Sequence, residues 1–203
     1  MSDTKSRIIA VATRRFARVG FNGTSLAHIA DEVGMRKPSL LYHFPSKEAL
    51  REAVLQDLLG HWQTRLPAIL AKAHSGGDRF AALFDEVHEF FAADPARPLL
   101  VMREVVDRPT ETRERLSDAI RPWLSLITEA IDEGKKSGQI RREVDPEAYL
   151  VQSIVMIVGS FVAADLGSAV FGGGDPSEWL DRQRLETRRM ARTALFNPRP
   201  LGE

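Results

Sequence analysis

The 203-residue sequence contains no cysteine. That excludes disulfides, thiol nucleophiles and Cys-ligated zinc, and it fits a reducing compartment. Net charge is also missing, with 28 Lys and Arg against 28 Asp and Glu, so no overall field draws the chain to nucleic acid or an acidic membrane. There is no long apolar run. Tyr149 to Ala164 carries no charge, but Gln152 interrupts it and Asp165 ends it, short of the roughly twenty residues a spanning helix needs. The opening MSDTKSRIIA lacks the apolar centre of a signal peptide, so a cytoplasmic location and no membrane contact are expected. Catalytic signatures are absent too. No nucleophile elbow or dinucleotide fingerprint occurs, and GKKS at Gly134–Ser137 has Glu129 where a phosphate loop needs its first glycine. Asp85 and His88 share a helix face, but a di-metal bundle needs two such pairs with added glutamates. No enzyme, metal or cofactor is expected.

The charge is unevenly placed. Residues 1–50 hold eight cations (Lys5, Arg7, Arg14, Arg15, Arg18, Arg36, Lys37, Lys47) and four acids (Asp3, Asp31, Glu32, Glu48). That end is therefore +4 and the remainder −4, the asymmetry of a DNA-facing end attached to a body that does not bind DNA. For the arginines in the first helix a solvated face and contact with DNA phosphate are both open, the latter only near the helix's amino end or beside the groove. Within this end, Leu26, Ile29, Ala30 and Val33 recur at helical steps after Thr24 and Ser25, either of which can cap a helix start. Gly34 stands where a left-handed C-terminal residue is wanted. Pro38 then fits only the first turn of a second short helix. Met35, Leu40 and Phe44 are expected to pack inward against Ile29 and Val33, leaving Lys37, Pro38, Leu41 and Tyr42 outside with Ser39 and His43 beside them. Such a pair is a helix-turn-helix, and its second helix suits a major groove. Ser46 caps the next helix, with Lys47 at its amino end, where amides, dipole and ammonium converge on an anion.

The run GFNGTSLAHIADEVGMRKPSLLYHFPSKEAL resembles the DNA-binding signature of the TetR family of bacterial transcriptional regulators. The resemblance implies an all-α dimer, with three N-terminal helices reading an operator and a larger C-terminal helical bundle binding a small-molecule inducer. It divides the chain into a helix-turn-helix domain at 1–48 and a ligand-binding and dimerisation domain at 49–203. Two positions depart from the family pattern. Arg36 stands where a capping Ser or Thr is common, and Leu41 where an aromatic is common. Arg36 cannot cap and is left available to DNA; Leu41 can touch a thymine methyl but cannot hydrogen-bond. The operator sequence therefore does not carry over.

Beyond the head, helices are expected from about Thr4 to Val19, with Val19 inward and Gly20 as terminator, and from Ser46 toward Ala71 with a kink or the start of a new segment at Pro67. A turn at Ser75–Gly77 precedes a helix from Phe80 to Ala92, and a short helix covers Leu99 to Val106. Another long helix follows from Thr110, kinked at Pro122 and ended by Gly134 and Gly138. Asp145 caps a helix that is apolar on nearly all sides, as expected if both its own domain and a partner cover it. After the linker Phe171–Pro176, a last helix from about Ser177 to Leu195 places Trp179, Leu180, Leu185, Met190 and Ala194 inward. The last two helices and their symmetry mates would form a four-helix dimer interface, as in the family.

These readings define two sets of residues. Thr24, Ser25, Tyr42, His43 and Lys47 are expected to hold phosphates, and Arg36, Lys37, Pro38, Ser39 and Leu41 to face base edges of double-stranded DNA. Trp62, Phe84, His88, Met102, Trp123 and Phe161 could line an inducer cavity, with His88 as polar anchor, although such residues at helical spacing more often fill a core. The function expected is a homodimeric repressor released from a pseudo-palindromic operator by a small-molecule inducer. An activator of the same fold, or a ligand-binding adaptor whose helix-turn-helix meets protein, remains open.

Overall fold

Apolar residues at three- and four-residue steps turn nearly every described segment into a helix. The computed structural model describes residues 3–72, 76–171 and 175–198. In chain order the helices are α1 Asp3–Gly23, α2 Leu26–Val33, α3 Lys37–His43, α4 Lys47–Lys72 and α5 Gly76–Ala92, then α6 Ala96–Asp107, α7 Pro109–Lys136, α8 Pro146–Val162, α9 Ala164–Val170 and α10 Pro176–Leu195. An isolated antiparallel bridge between Ile140 and Phe196 is the extended pairing found among the described residues. The fold is all-α.

Two compact units emerge. The first is Met1–Arg65 with Asp94–Ile120, and the second is Leu66–Ala93 with Arg121–Glu203. The first thus takes in α6 and the start of α7 besides the head, because α1 packs along α6. Its core includes Ile8, Ala12, Phe16, Ile29, Leu40, Leu50 and Val54, all nearly inaccessible to solvent. Each of these side chains larger than Ala12 is worth roughly 1.5–3 kcal/mol of apolar transfer. In the second unit Ile131, Ile140 and Leu195 gather Phe80, Ile127, Val144, Tyr149, Leu150 and Phe196 around them.

Several elements depart from the sequence reading. At Gly20 the backbone leaves helical space, with φ 77° and ψ 169°, and a last turn continues to Gly23. That break redirects the chain after Phe16, so Val19 lies 45% exposed rather than inward, while Phe21 packs back with its ring centroid 5.6 Å from that of Phe16. Helices α4 and α7 continue through Pro67 and Pro122, and the unit boundaries fall beside these two prolines. Gly76 and Gly77 begin α5 instead of forming a turn; Ser75 and the middle of the Phe171–Pro176 linker lie outside the described residues. A separate α9 follows α8. In α10 the buried positions are Thr187, Ala191 and Leu195, four apart. Leu185 is two residues out of phase with them, about 200° round the helix, and is 70% exposed; Met190 and Ala194 also face outward. Among the described residues no single helix is long and apolar enough to cross a membrane, and the pair α8 and α9 is bent by 64°.

Candidate nucleic-acid interface

The head is built by local signals that agree with one another. The Ser25 hydroxyl accepts from the His28 amide at 3.1 Å and caps α2. Gly34 ends α2 with φ 82°, the left-handed conformation that L side chains resist, and its amide returns to Ala30 and Asp31 carbonyls. Pro38 lies in the first turn of α3, and Arg36 precedes it at the N-cap with no side-chain cap bond. Leu40 is fully buried and Phe44 nearly so; these two anchor α3 on the head core.

What remains on α3 is a polar surface. Arg36, Lys37, Pro38 and Ser39 are exposed, Leu41 and His43 are half-buried, and Tyr42 is 89% exposed with its ring edge against His43 at 5.6 Å. A tyrosine left almost wholly in water on a packed helix has its ring and hydroxyl free for a partner.

Two of the expected phosphate residues have other partners inside the fold. Thr24 is 3% exposed, and its hydroxyl donates to the Gly20 carbonyl at 2.8 Å. The Lys47 ammonium donates to the Phe21 carbonyl at 2.8 Å and the Thr24 carbonyl at 2.9 Å, and stands 4.3 Å from the Phe21 ring centroid. Ser46 does cap α4 through the Ala49 amide at 3.0 Å. Lys47 therefore ties the start of α4 to the corner between α1 and α2, with one N–H left over.

The cations of α1 are used in a similar way. Arg7 donates to the Val33 carbonyl at the end of α2 at 2.9 Å, satisfying one of the orphan acceptors there. Arg15 and Arg14 bind Glu32 at 2.7 and 3.3 Å. The Arg15 hydrogen bond is the main reason that the Glu32 carboxyl titrates below its ordinary range; burial opposes it, and Arg14 adds to it. Arg18 is exposed.

Behind the head lies a charged cluster that sequence reasoning missed. Arg51 of α4 is 5% exposed and binds Glu104 of α6, 7% exposed, through Nε at 3.0 Å and through Nη2 as well. The same guanidinium reaches Glu111 of α7 at 2.9 Å. Burial opposes the Arg51 charge, but the bonds and charges of Glu104 and Glu111 outweigh it and raise the pKa. Arg103, next to Glu104, donates to the Ala17 carbonyl at 2.6 Å and the Arg18 carbonyl at 3.0 Å, closing the end of α1. Arg108 lies over the Phe21 ring at 4.4 Å, and the Lys47 ammonium stands 4.3 Å from the same ring. One signal was legible: Arg51 falls on the Leu50, Val54, Leu58 stripe, where a charge must find a buried partner.

The six expected cavity residues divide between the two units. Trp62 and Met102 belong to the first unit; Phe84, His88, Trp123 and Phe161 belong to the second. Trp62 packs edge-on against its neighbour His61 at 5.1 Å, and Met102 is 39% exposed. In the second unit Phe84 and His88 are buried, and the His88 ring lies 5.0 Å from Phe161. Trp123 is half-buried. No group of His, Cys, Asp or Glu that could hold a metal ion occurs among the described residues.

Comparison with known proteins bears on the same segments. The family of bacterial regulatory proteins named tetR matches residues 8–54, and the tetracyclin repressor-like C-terminal domain matches residues 98–169. The HTH-type transcriptional regulator RutR of Escherichia coli strain K12 is 46% identical over 68 residues, 34% of this chain and 32% of that protein. The chain thus spans about a third of the length of this curated relative. Two solved structures share the fold. The ketosteroid transcriptional regulator KstR2 of Mycobacterium tuberculosis has a TM-score of 0.73 at 17% identity, over 98% of this chain and 97% of its own. FadR from Bacillus subtilis, in complex with stearoyl-CoA, has a TM-score of 0.66 at 16% identity, over 93% of this chain and 98% of its own. The two family matches cover the reading head and much of the body, together more than half of the residues, and the chain belongs to the TetR family of bacterial regulatory proteins.

Proposed function

We propose that the protein is a ligand-responsive, DNA-binding transcriptional regulator that acts as a homodimeric repressor in the bacterial cytoplasm. The observation that carries this reading is the division of α3. Leu40 and Phe44 hold the helix to the core, while Arg36, Lys37, Ser39 and Tyr42 stand in solvent on its other side. A helix fixed in that way can enter a major groove without rearranging. Arg36, Lys37, Pro38, Ser39 and Leu41 then face base edges. Ser25, Tyr42, His43 and the remaining N–H of Lys47 reach phosphates. Thr24 contributes by positioning, since its hydroxyl holds Gly20.

The second copy is taken by α8 and α10. Val151 and Val155 on α8 and Leu185 on α10 are each more than half exposed, and Ile154, Val162 and Met190 are two-fifths exposed or more. Apolar area of this extent on neighbouring helices is what a self-complementary dimer face requires. Two heads then read a pseudo-palindrome with half-sites about one helical turn apart. An inducer that binds the body better in the DNA-incompetent dimer lowers operator affinity by its differential binding energy. A neighbour of the same fold holding stearoyl-CoA supports a small-molecule effector here.

The reading is tested by anisotropy of labelled duplexes from the DNA flanking the gene. Palindrome-dependent binding with a steep salt slope is expected. Affinity no greater than for random duplex would overturn it in favour of a head that meets protein.

A further inference from the structure

Helix α5 carries Phe80, Phe84, His88 and Phe91 at steps of four, four and three, so their rings share one face. Phe84, His88 and Phe91 are buried. Phe80 stacks on Phe84 with centroids 6.0 Å apart, and Phe161 of α8 lies 5.0 Å from the imidazole and 6.2 Å from Phe91. Of these five rings only the imidazole carries hydrogen-bonding atoms. It is 5% exposed, and its Nε2 has no partner among the described residues. That nitrogen has lost water and gained no bond in exchange, which leaves an unmet hydrogen bond in an aromatic face.

Charged groups of α5 and α10 lie around it. Asp85, one turn earlier on α5, accepts from Arg184 at 2.9 Å and Arg188 at 3.3 Å, both on α10. Arg184, Asp181 and Asp85 are the charged groups whose fields reach the imidazole. Asp85, the acid one turn from the ring, is thus held by two guanidiniums and is not left as a free charge beside the imidazole.

We propose that His88 is the polar anchor of the effector site within the second unit, and that the effector is an uncharged, mainly apolar molecule with one oxygen that shares a hydrogen bond with Nε2. This rests on the ligand-responsive reading above and names the ligand class. The apolar body of the effector lies against Phe84, Phe91 and Phe161. Its hydroxyl donates to Nε2, or its carbonyl accepts from Nε2–H, according to the tautomer. Burial first, and Arg184 second, push the imidazole pKa down against the opposite pull of Asp181 and Asp85. Both effects disfavour the imidazolium that a carboxylate would meet.

The test uses isothermal titration of the full-length protein with four probes of equal chain length: 1-octanol, 2-octanone, octanoate and octyltrimethylammonium. Wild type should bind 1-octanol or 2-octanone at least tenfold more tightly than either ion. His88→Phe should lose at least tenfold toward the neutral probe, while His88→Gln, which keeps an amide donor and acceptor, should recover most of it. Circular dichroism confirms that both variants fold. Absence of neutral-probe binding, tighter binding of octanoate, or wild-type affinity in His88→Phe would each overturn the proposal. Operator affinity without probe is measured on the same samples. If wild type binds the operator specifically but fails these titrations, the His88 assignment alone falls; if it does not bind the operator, the regulator reading falls.

Discussion

Removing Glu104 leaves Arg51 with a charge in a place that water scarcely reaches. The two side chains are 5% and 7% exposed as residues and are joined through Nε and Nη2. Breaking a buried ion pair by deleting one partner costs about 3–5 kcal/mol, because the other charge stays desolvated. Glu111 still holds Arg51 from the solvent side at 2.9 Å, and that bond is screened by water. The expected loss for Glu104→Ala is therefore at the lower end, about 3 kcal/mol. For a chain of this length each kcal/mol lowers Tm by roughly 2–4 °C, so a drop of about 6–12 °C is expected. The double variant Arg51→Met/Glu104→Leu removes both charges and keeps apolar volume, and should lie within about 1 kcal/mol of wild type or above it. Urea and thermal unfolding followed by circular dichroism measure both. A loss under about 1 kcal/mol in Glu104→Ala, or a double variant as unstable as the single, would show that the pair is not buried in the way described.

Four further outcomes are expected. Lys47→Ala should weaken binding to every duplex and reduce the salt slope by about one unit, while lowering stability through loss of the Phe21 and Thr24 carbonyl bonds; an unchanged slope would leave Lys47 with a purely structural part. Arg36→Ala should relax preference at one base position by about 1–3 kcal/mol, read from a duplex library, whereas uniform weakening would place Arg36 on the backbone. Leu185→Glu, on the exposed face of α10, should shift sedimentation from dimer toward monomer, and an intact dimer would move the interface elsewhere. The His88 pKa is depressed in the fold, so the unfolded chain binds more protons below its ordinary value near 6.5. Stability should then fall as pH drops from about 6.5 through the folded pKa; His88→Gln should flatten that part of the pH profile, and an unchanged profile would count against a neutral buried ring.

The sequence was most legible where local rules and burial agree. Ser25, Gly34, Pro38, Leu40 and Phe44 each have a short-range reason to be where they are, and the structure places them so. It was less legible where a side chain chooses between solvent and a distant backbone. Nothing near Lys47 in sequence reveals that its ammonium meets carbonyls 26 and 23 residues away. Thr24 likewise carries a cap-like hydroxyl that is instead bonded to Gly20. Arg103, Glu104 and Arg108 carry no local signal of their roles, because their partners come from α1 and α4, more than fifty residues earlier. Leu185 and Met190 were read as inward because apolar periodicity does not say which core a face joins. Dimerisation would account for both.

The central claim is that α3 reads DNA sequence. It is tested most directly by fluorescence anisotropy with duplexes from the DNA flanking the gene and with scrambled controls, at several salt concentrations. The account predicts tight binding that depends on a palindrome with half-sites about one turn apart, and a steep loss of affinity with salt. Equal affinity for scrambled duplex at every salt concentration would contradict it.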